Sequence, residues 1–274
     1  MRVIYKFRGY PVIAMKWVKR GKYALNENGI VVHVEYDGNN LLLNDIRISK
    51  EDMKKLSKKG STLHAITEEG LIALEIRSRS YYKLRALDKP VHPTLEIDGV
   101  HMHRISQMDP WTDSLIKVKP LRIRKSHRVL DTCMGLGYTA IAAKNLGAQV
   151  LTVEKSEEVL ELSRWNPWSR ELEDVNIYLD DVSQLVIEFK DESFDRIIHD
   201  PPAFYMAGEL YSSDFYSELY RILRPCGVLF HYTGNLGRRR GIDLARGVMR
   251  RLKEVGFEVR RYERGLGVLA SKRC

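Results

Sequence analysis

Apolar and polar positions follow two rhythms along the chain. From residue 127 onward, short apolar runs alternate with longer stretches whose apolar residues recur every three or four positions. "HRVLDTC", "QVLTVEK", "VNIYLDD", "FDRIIHD" and "VLFHYTG" predict five strands. Between and after them, "GLGYTAIAAKNLGA", "SEEVLELSRWNP", "SDFYSELYRILRPCG" and "GIDLARGVMRRLKEVG" predict helices, the last two closing at Pro225 with Gly227 and at Gly256. Strands and helices in turn, with short connections, predict an α/β fold: an open, mostly parallel sheet covered on both faces. The closing stretch "FEVRRYERGLGVLASKR" holds two strand-like runs with no room for a crossover helix, so these pair antiparallel.

The first hundred residues are patterned differently. "GIVVHVEYDGNNLLLNDIRI" and "LHAITEEGLIALEIRSRSYYKL" predict short strands joined by turns. "SKEDMKKLSKKG" predicts a helix capped by Ser49 and stopped by Gly60. This is a small α+β or β-rich domain over 1–100, assigned to substrate binding. The prolines and glycine of "LDKPVHPTLEIDGVHMHRI" mark the boundary. Residues 101–126 form a connecting segment with a helix that starts at Pro110 behind Asp109, and 127–274 form the catalytic domain.

Composition narrows this picture only in part. With 274 residues, 44% hydrophobic and 30% charged, the chain is long enough to bury a sizeable core. No run approaches the roughly 18 apolar residues of a membrane span, and no signal core opens the chain. Cys133, Cys226 and Cys274 are too few and too scattered for a disulfide framework, which suits a reducing cytoplasm. A net charge of +9 favours an anionic partner such as nucleic acid.

Ligands of such sheets sit beyond the carboxyl ends of the strands. "VLDTCMGLGYTA" places Asp131, Thr132, Gly135 and Gly137 there, the glycines allowing close approach of backbone to ligand. A carboxylate at Asp131 repels a pyrophosphate and suits a ligand carrying an amino group. Glu154, with Lys155 beside it, ends the next strand, where a carboxylate accepts from ribose hydroxyls. Asp181 and Val182 follow the third strand, positioned for an adenine edge. Together these predict a nucleoside-containing ligand.

"VLDTCMGLGYTAI" followed by "RIIHDPPAF" resembles the class I S-adenosylmethionine-dependent methyltransferases, and in particular a group of predicted archaeal members; the resemblance runs over residues 108–274. It implies seven strands with the last antiparallel, and S-adenosyl-L-methionine as cofactor. It also implies that Asp131, Gly135 and Gly137 cradle the methionine part, Glu154 the ribose, and Asp181 with Val182 the adenine. Aminopropyl transferases of related fold usually carry a glycine run with an extra aspartate at the first turn, and "GLGY" departs from it.

Asp200, Pro201, Pro202 and Phe204 close the fourth strand and are the catalytic candidates. The two prolines restrict the backbone, so the loop is preorganised. The Asp200 carboxylate is suited to orient an amino group, and Phe204 or Tyr205 to stack on a base. In the methyltransferases that the loop resembles, an acid, two prolines and an aromatic mark transfer to nitrogen of a planar group; Ala203 before the ring departs from that pattern. His199 reads as a buried ring rather than a base, and His101 with His103 do not make a metal site. Lys54, Lys55, Lys58 and Lys59 on the first helix, and Arg238, Arg239 and Arg240 after the fifth strand, are the candidate contacts for an RNA, transfer RNA foremost. The rival expectations are methyl or aminopropyl transfer to a small amine or metabolite, and a non-catalytic RNA-binding protein on a methyltransferase fold.

Overall fold

The computed structural model describes all residues except 22, 37–39, 44–45, 59 and 235–242; it also leaves out the side chains of 19–21, 23, 36, 46, 55, 57 and 58. The chain forms two compact units, one of Met1–Val3, Thr112–Ser156 and Asp174–Cys274, the other of Ile4–Trp111 and Glu157–Glu173.

The first unit is built on an eight-stranded sheet. Its strands are β1 (Arg2–Val3), β2 (Arg128–Asp131), β3 (Gln149–Glu154), β4 (Asn176–Leu179), β5 (Phe194–His199), β6 (Leu223–Tyr232), β7 (Glu258–Tyr262) and β8 (Gly267–Ser271). Their spatial order is β1-β4-β3-β2-β5-β6-β8-β7. Strands β4, β3, β2, β5 and β6 run parallel, while β8 lies antiparallel between β6 and β7, as the closing hairpin requires. Leu130, Ile197, Ile198, Leu229 and Phe230 are wholly enclosed, as expected where helices cover both faces of parallel strands. The strand order reverses on either side of β2, which puts a crevice beside the carboxyl ends of β2 and β5.

Two features of this unit differ from the sequence reading. An eighth strand joins the edge, where Arg2 and Val3 pair antiparallel with Tyr178 and Ile177; a two-residue strand carries no periodicity of its own. Cys226 and Cys274 are joined by a disulfide, although 48 positions separate them. The antiparallel β6–β8 pairing brings the chain end back along β6, with the Lys272 amide donating to the Gly227 carbonyl at 3.1 Å. Sequence spacing does not reveal that proximity.

The second unit contains a five-stranded, a four-stranded and a three-stranded sheet, all with antiparallel pairings. The helix Lys50–Lys58 begins with the Asp52 amide donating to Ser49 Oγ at 3.1 Å, the expected cap. Ile13, Leu41, Leu43, Ile48, Leu56 and Ile66 form its core. This unit also includes 157–173, which the contiguous boundaries at 100 and 127 place elsewhere. Glu161 pairs with Arg8 at 2.7 Å, Trp165 stacks on Tyr10, and Glu173 accepts the Phe7 amide at 3.0 Å. No described helix is long and apolar enough to cross a membrane.

Candidate functional site

Strand β2 ends at Asp131, and the chain turns through Gly135 (φ 55°) and Gly137 (φ 80°) into the helix Tyr138–Asn145. Both glycines occupy the left-handed region, where a Cβ is strained. A Cβ on Gly135 would meet nothing within 4 Å, so the side of the turn that lacks it faces open space. That is a backbone cradle of the kind a ligand needs for close approach.

Glu154 holds this turn against β3. One carboxylate oxygen accepts the Gly135 amide at 2.9 Å, and the other accepts the amides of Lys155 and Ser156, each at 2.9 Å. Burial raises its pKa, opposed by those three donors. Asp131 is wholly enclosed and accepts from the Thr152 hydroxyl at 2.8 Å and the Thr139 hydroxyl at 3.2 Å. Burial pushes its carboxyl up to about 7, helped by the negative Asp200 and Glu154 and opposed by the two hydroxyls. Asp131 thus links β3 and the helix Tyr138–Asn145 through these hydroxyls.

Beyond β4, Asp181 caps the helix Val182–Leu185, accepting the Ser183 amide at 2.9 Å. Its other oxygen pairs with Lys155 Nζ at 2.6 Å. Burial alone would raise this carboxyl, but Lys155 and Ser183 hold it below the usual range. The cofactor candidates therefore converge along the ends of three adjacent strands. Gly135 provides the open cradle, Glu154 and Asp181 provide carboxylates, and Thr132 joins the turn to β5. This donor set fits a nucleoside joined to an amino-acid group.

The acceptor side begins at His199. A carbonyl only accepts, so His199 Nε2 donates to Leu210 O at 3.0 Å; Nδ1 then accepts from the Thr132 hydroxyl at 2.7 Å. Burial lowers its pKa to about 4. A ring engaged at both nitrogens and wholly enclosed is no base; it ties the cofactor turn to the segment Gly208–Tyr211.

Asp200 follows at the rim. Its carboxylate pairs with Lys117 Nζ at 2.6 Å, and the same ammonium lies 2.9 Å from Asp113 and 4.3 Å from the centre of the Tyr232 ring. Burial would depress this ammonium, but Asp200 and Asp113 hold it above its usual value. The sequence reading missed Lys117 and Asp113; the only signal was an acid and a base four apart in "WTDSLIKVK", which a solvated helix face carries just as often.

Pro201 is buried and Pro202 half-buried. The Pro202 carbonyl accepts from the Tyr211 hydroxyl at 2.8 Å, and the Met206 amide closes a turn onto Ala203 O at 2.7 Å. Phe204, 49% exposed, meets Tyr211 edge-on at 5.4 Å between ring centres, and Tyr205 is 67% exposed. The loop is pinned at its base and presents two rings outward. Burial also raises the Cys133 thiol well above its ordinary value, which disfavours the thiolate.

Several flagged residues lie elsewhere. His101 bonds Glu96 at 3.1 Å and His103 bonds the Thr94 hydroxyl at 3.0 Å, both in the second unit. Lys54 is exposed on its helix. Lys59, Arg238, Arg239 and Arg240 lie outside the described residues, as do the side chains of Lys55 and Lys58.

Comparison with known proteins gives three likenesses beyond a family match. Residues 129–227 match a family described as a methyltransferase domain. The uncharacterized protein MJ1233 of Methanocaldococcus jannaschii is 46% identical over 229 residues, 82% of this chain and 78% of that protein. The 23S rRNA (uracil(1939)-C(5))-methyltransferase RlmD of Alcanivorax borkumensis is 30% identical over 146 residues, 52% of this chain and 30% of that protein. Among solved structures, spermidine synthase from Thermotoga maritima shares the fold, with a TM-score of 0.58 and 19% identity over 77% of this chain and 74% of that one.

Proposed function

The chain belongs to the S-adenosylmethionine-dependent methyltransferases, and from that premise we propose that it methylates a nucleobase of structured RNA, transfer RNA foremost. The cofactor brings a methyl group already activated on sulfonium, so the protein's task is alignment. Glu154 and Asp181 hold the ribose and adenine ends, and the Gly135–Gly137 turn, with Asp131 enclosed against Thr139 and Thr152, takes the amino-acid end.

The observation that carries the nucleobase reading is the pinned loop: Asp200 at the rim, with the half-exposed Phe204 ring four residues on. The Asp200 carboxylate accepts from an amino group and orients its lone pair while Phe204 stacks on the base, a contact worth about 1–3 kcal/mol. Attack through a cysteine is disfavoured, because Cys133 lies in the cofactor turn with its thiol raised by burial and Cys226 and Cys274 are joined to each other, so direct displacement is the proposed step. Support for RNA comes from the net charge of +9 and from the likeness to an enzyme named for rRNA methylation. The cytoplasm, where such RNA is found, is the proposed compartment.

The test offers labelled S-adenosylmethionine with total RNA, isolated tRNA, DNA, protein and polyamines, followed by mass mapping of the product. Label in RNA is the expected result. Label entering polyamine or protein while RNA stays blank refutes the RNA assignment. Asp200→Ala should abolish transfer while cofactor binding persists.

A further inference from the structure

The helix Pro110–Val118 lies outside every cofactor and acceptor motif of the chain, yet it delivers the ammonium that Asp200 contacts. The Lys117 side chain is 1% exposed and its partner Asp113, one turn earlier, is wholly enclosed, whereas Asp200 keeps 15% of its side chain open at the rim. The helix itself is fastened: the Tyr262 hydroxyl donates to the Ile116 carbonyl at 3.3 Å, and the Tyr232 ring covers the ammonium. A lysine serving only to balance Asp113 needs no second acid at 2.6 Å. Here the buried pair reaches outward to a group at the mouth of the site.

We propose that Lys117, backed by Asp113, is a positioning residue that fixes the Asp200 carboxylate for the acceptor. This rests on Asp200 being the acceptor-facing group. Holding Oδ2 at 2.6 Å sets the plane of the carboxylate and so the directions of its remaining lone pairs. The ammonium also offsets the two acids it contacts. Asp113 flanks Lys117 on the helix, while Asp131 and Cys133 from the cofactor turn and Tyr211 from the following segment all sense the charge of Asp200. Without Lys117, Asp113 and Asp200 lose their shared cation, and Asp200 takes up a proton more readily.

The experiment compares wild type with Lys117→Met in the full chain, using whichever acceptor wild type labels. Cofactor affinity is read by calorimetry, folding by melting, and kcat across pH 5–9. The variant should bind S-adenosylmethionine within about threefold of wild type and lose on the order of 100-fold in kcat. The acid limb of its rate profile should move up by about one pH unit or more. A folded variant with unchanged kcat and acid limb overturns the inference. So does one whose whole loss is accounted for by weaker cofactor binding. If Lys117→Met does not fold, the pair Asp113→Asn and Lys117→Gln removes one acid and one base together and is judged by the same two criteria. Unlabelled RNA refutes the proposed substrate, and full turnover by Asp200→Ala refutes the premise; an unaltered Lys117→Met alone refutes this role.

Discussion

Replacing Asp131 by asparagine tests the electrostatics at the end of β2. The Asp131 carboxyl is enclosed, with two threonine hydroxyls as partners, and burial pushes it up to about 7. An aspartate in an unfolded chain titrates near ~3.9. Because the folded value is the higher one, the folded state holds the proton more tightly. The contribution to stability is complete below pH ~4 and is lost as pH rises through about 7. The interval between the two values, at ~1.4 kcal/mol per pH unit, amounts to on the order of 4 kcal/mol, of which roughly 2.5 kcal/mol disappears between pH 5 and pH 8. Asparagine keeps the shape and the threonine contacts but does not titrate. Urea unfolding of the cofactor-free protein at a series of pH values should therefore show a flatter stability profile in Asp131→Asn, by roughly 2.5 kcal/mol across pH 5–8. Glu154, His199 and the other shifted groups titrate in both proteins, so the difference in slope isolates Asp131. Equal slopes would refute the claim that an enclosed carboxyl titrates near neutrality here.

Three further perturbations probe separate parts of the molecule. Phe204→Ala should lower kcat/KM for the RNA acceptor by about 5- to 150-fold, the loss of one base-stacking contact; the melting temperature should hardly move, since the ring is half exposed. Asp181→Ala removes a helix cap as well as a proposed cofactor contact; denaturant unfolding should register about 1 kcal/mol, and calorimetry a roughly tenfold weaker cofactor affinity. Cys226→Ser opens the covalent link between residues 48 positions apart; guanidinium unfolding without reductant should show a loss of about 4 kcal/mol by loop entropy, and an unchanged midpoint would mean that the bond contributes nothing.

The α/β rhythm after residue 127 was legible because it is local. Parallel strands buried on both faces must be apolar throughout, helices must show a 3.6-residue stripe, and Gly135 and Gly137 sit where the first turn needs positive φ. The same logic located Asp131, Glu154, Asp181 and Asp200, because strand ends in a parallel sheet gather at one edge and an acid ending each strand must lie there. The closing antiparallel hairpin followed from chain length, since no crossover fits between the last two strands. Even His199 could be read as an enclosed ring from its place at the end of an apolar strand.

What a side chain meets across the sequence was not legible. Lys117 reaches Asp200 from 83 positions earlier, and nothing in "SLIKVK" distinguishes that lysine from a solvated one. Thr132 bonds His199 across adjacent strands, Arg2 and Val3 find an edge strand some 175 residues away, and Cys226 finds the chain end. Asp131 was expected near a ligand's amino group, but that its two oxygens would meet the hydroxyls of Thr139 and Thr152 carried no signal in the sequence. Periodicity reports which face of an element is buried, because that depends on neighbours three or four residues away along a helix or two along a strand. Which partner occupies that buried space depends on how elements distant in the chain pack, so the sequence determined the scaffold and the acidic rim of this methyltransferase, and the tertiary structure decided which cation holds the acid at its mouth.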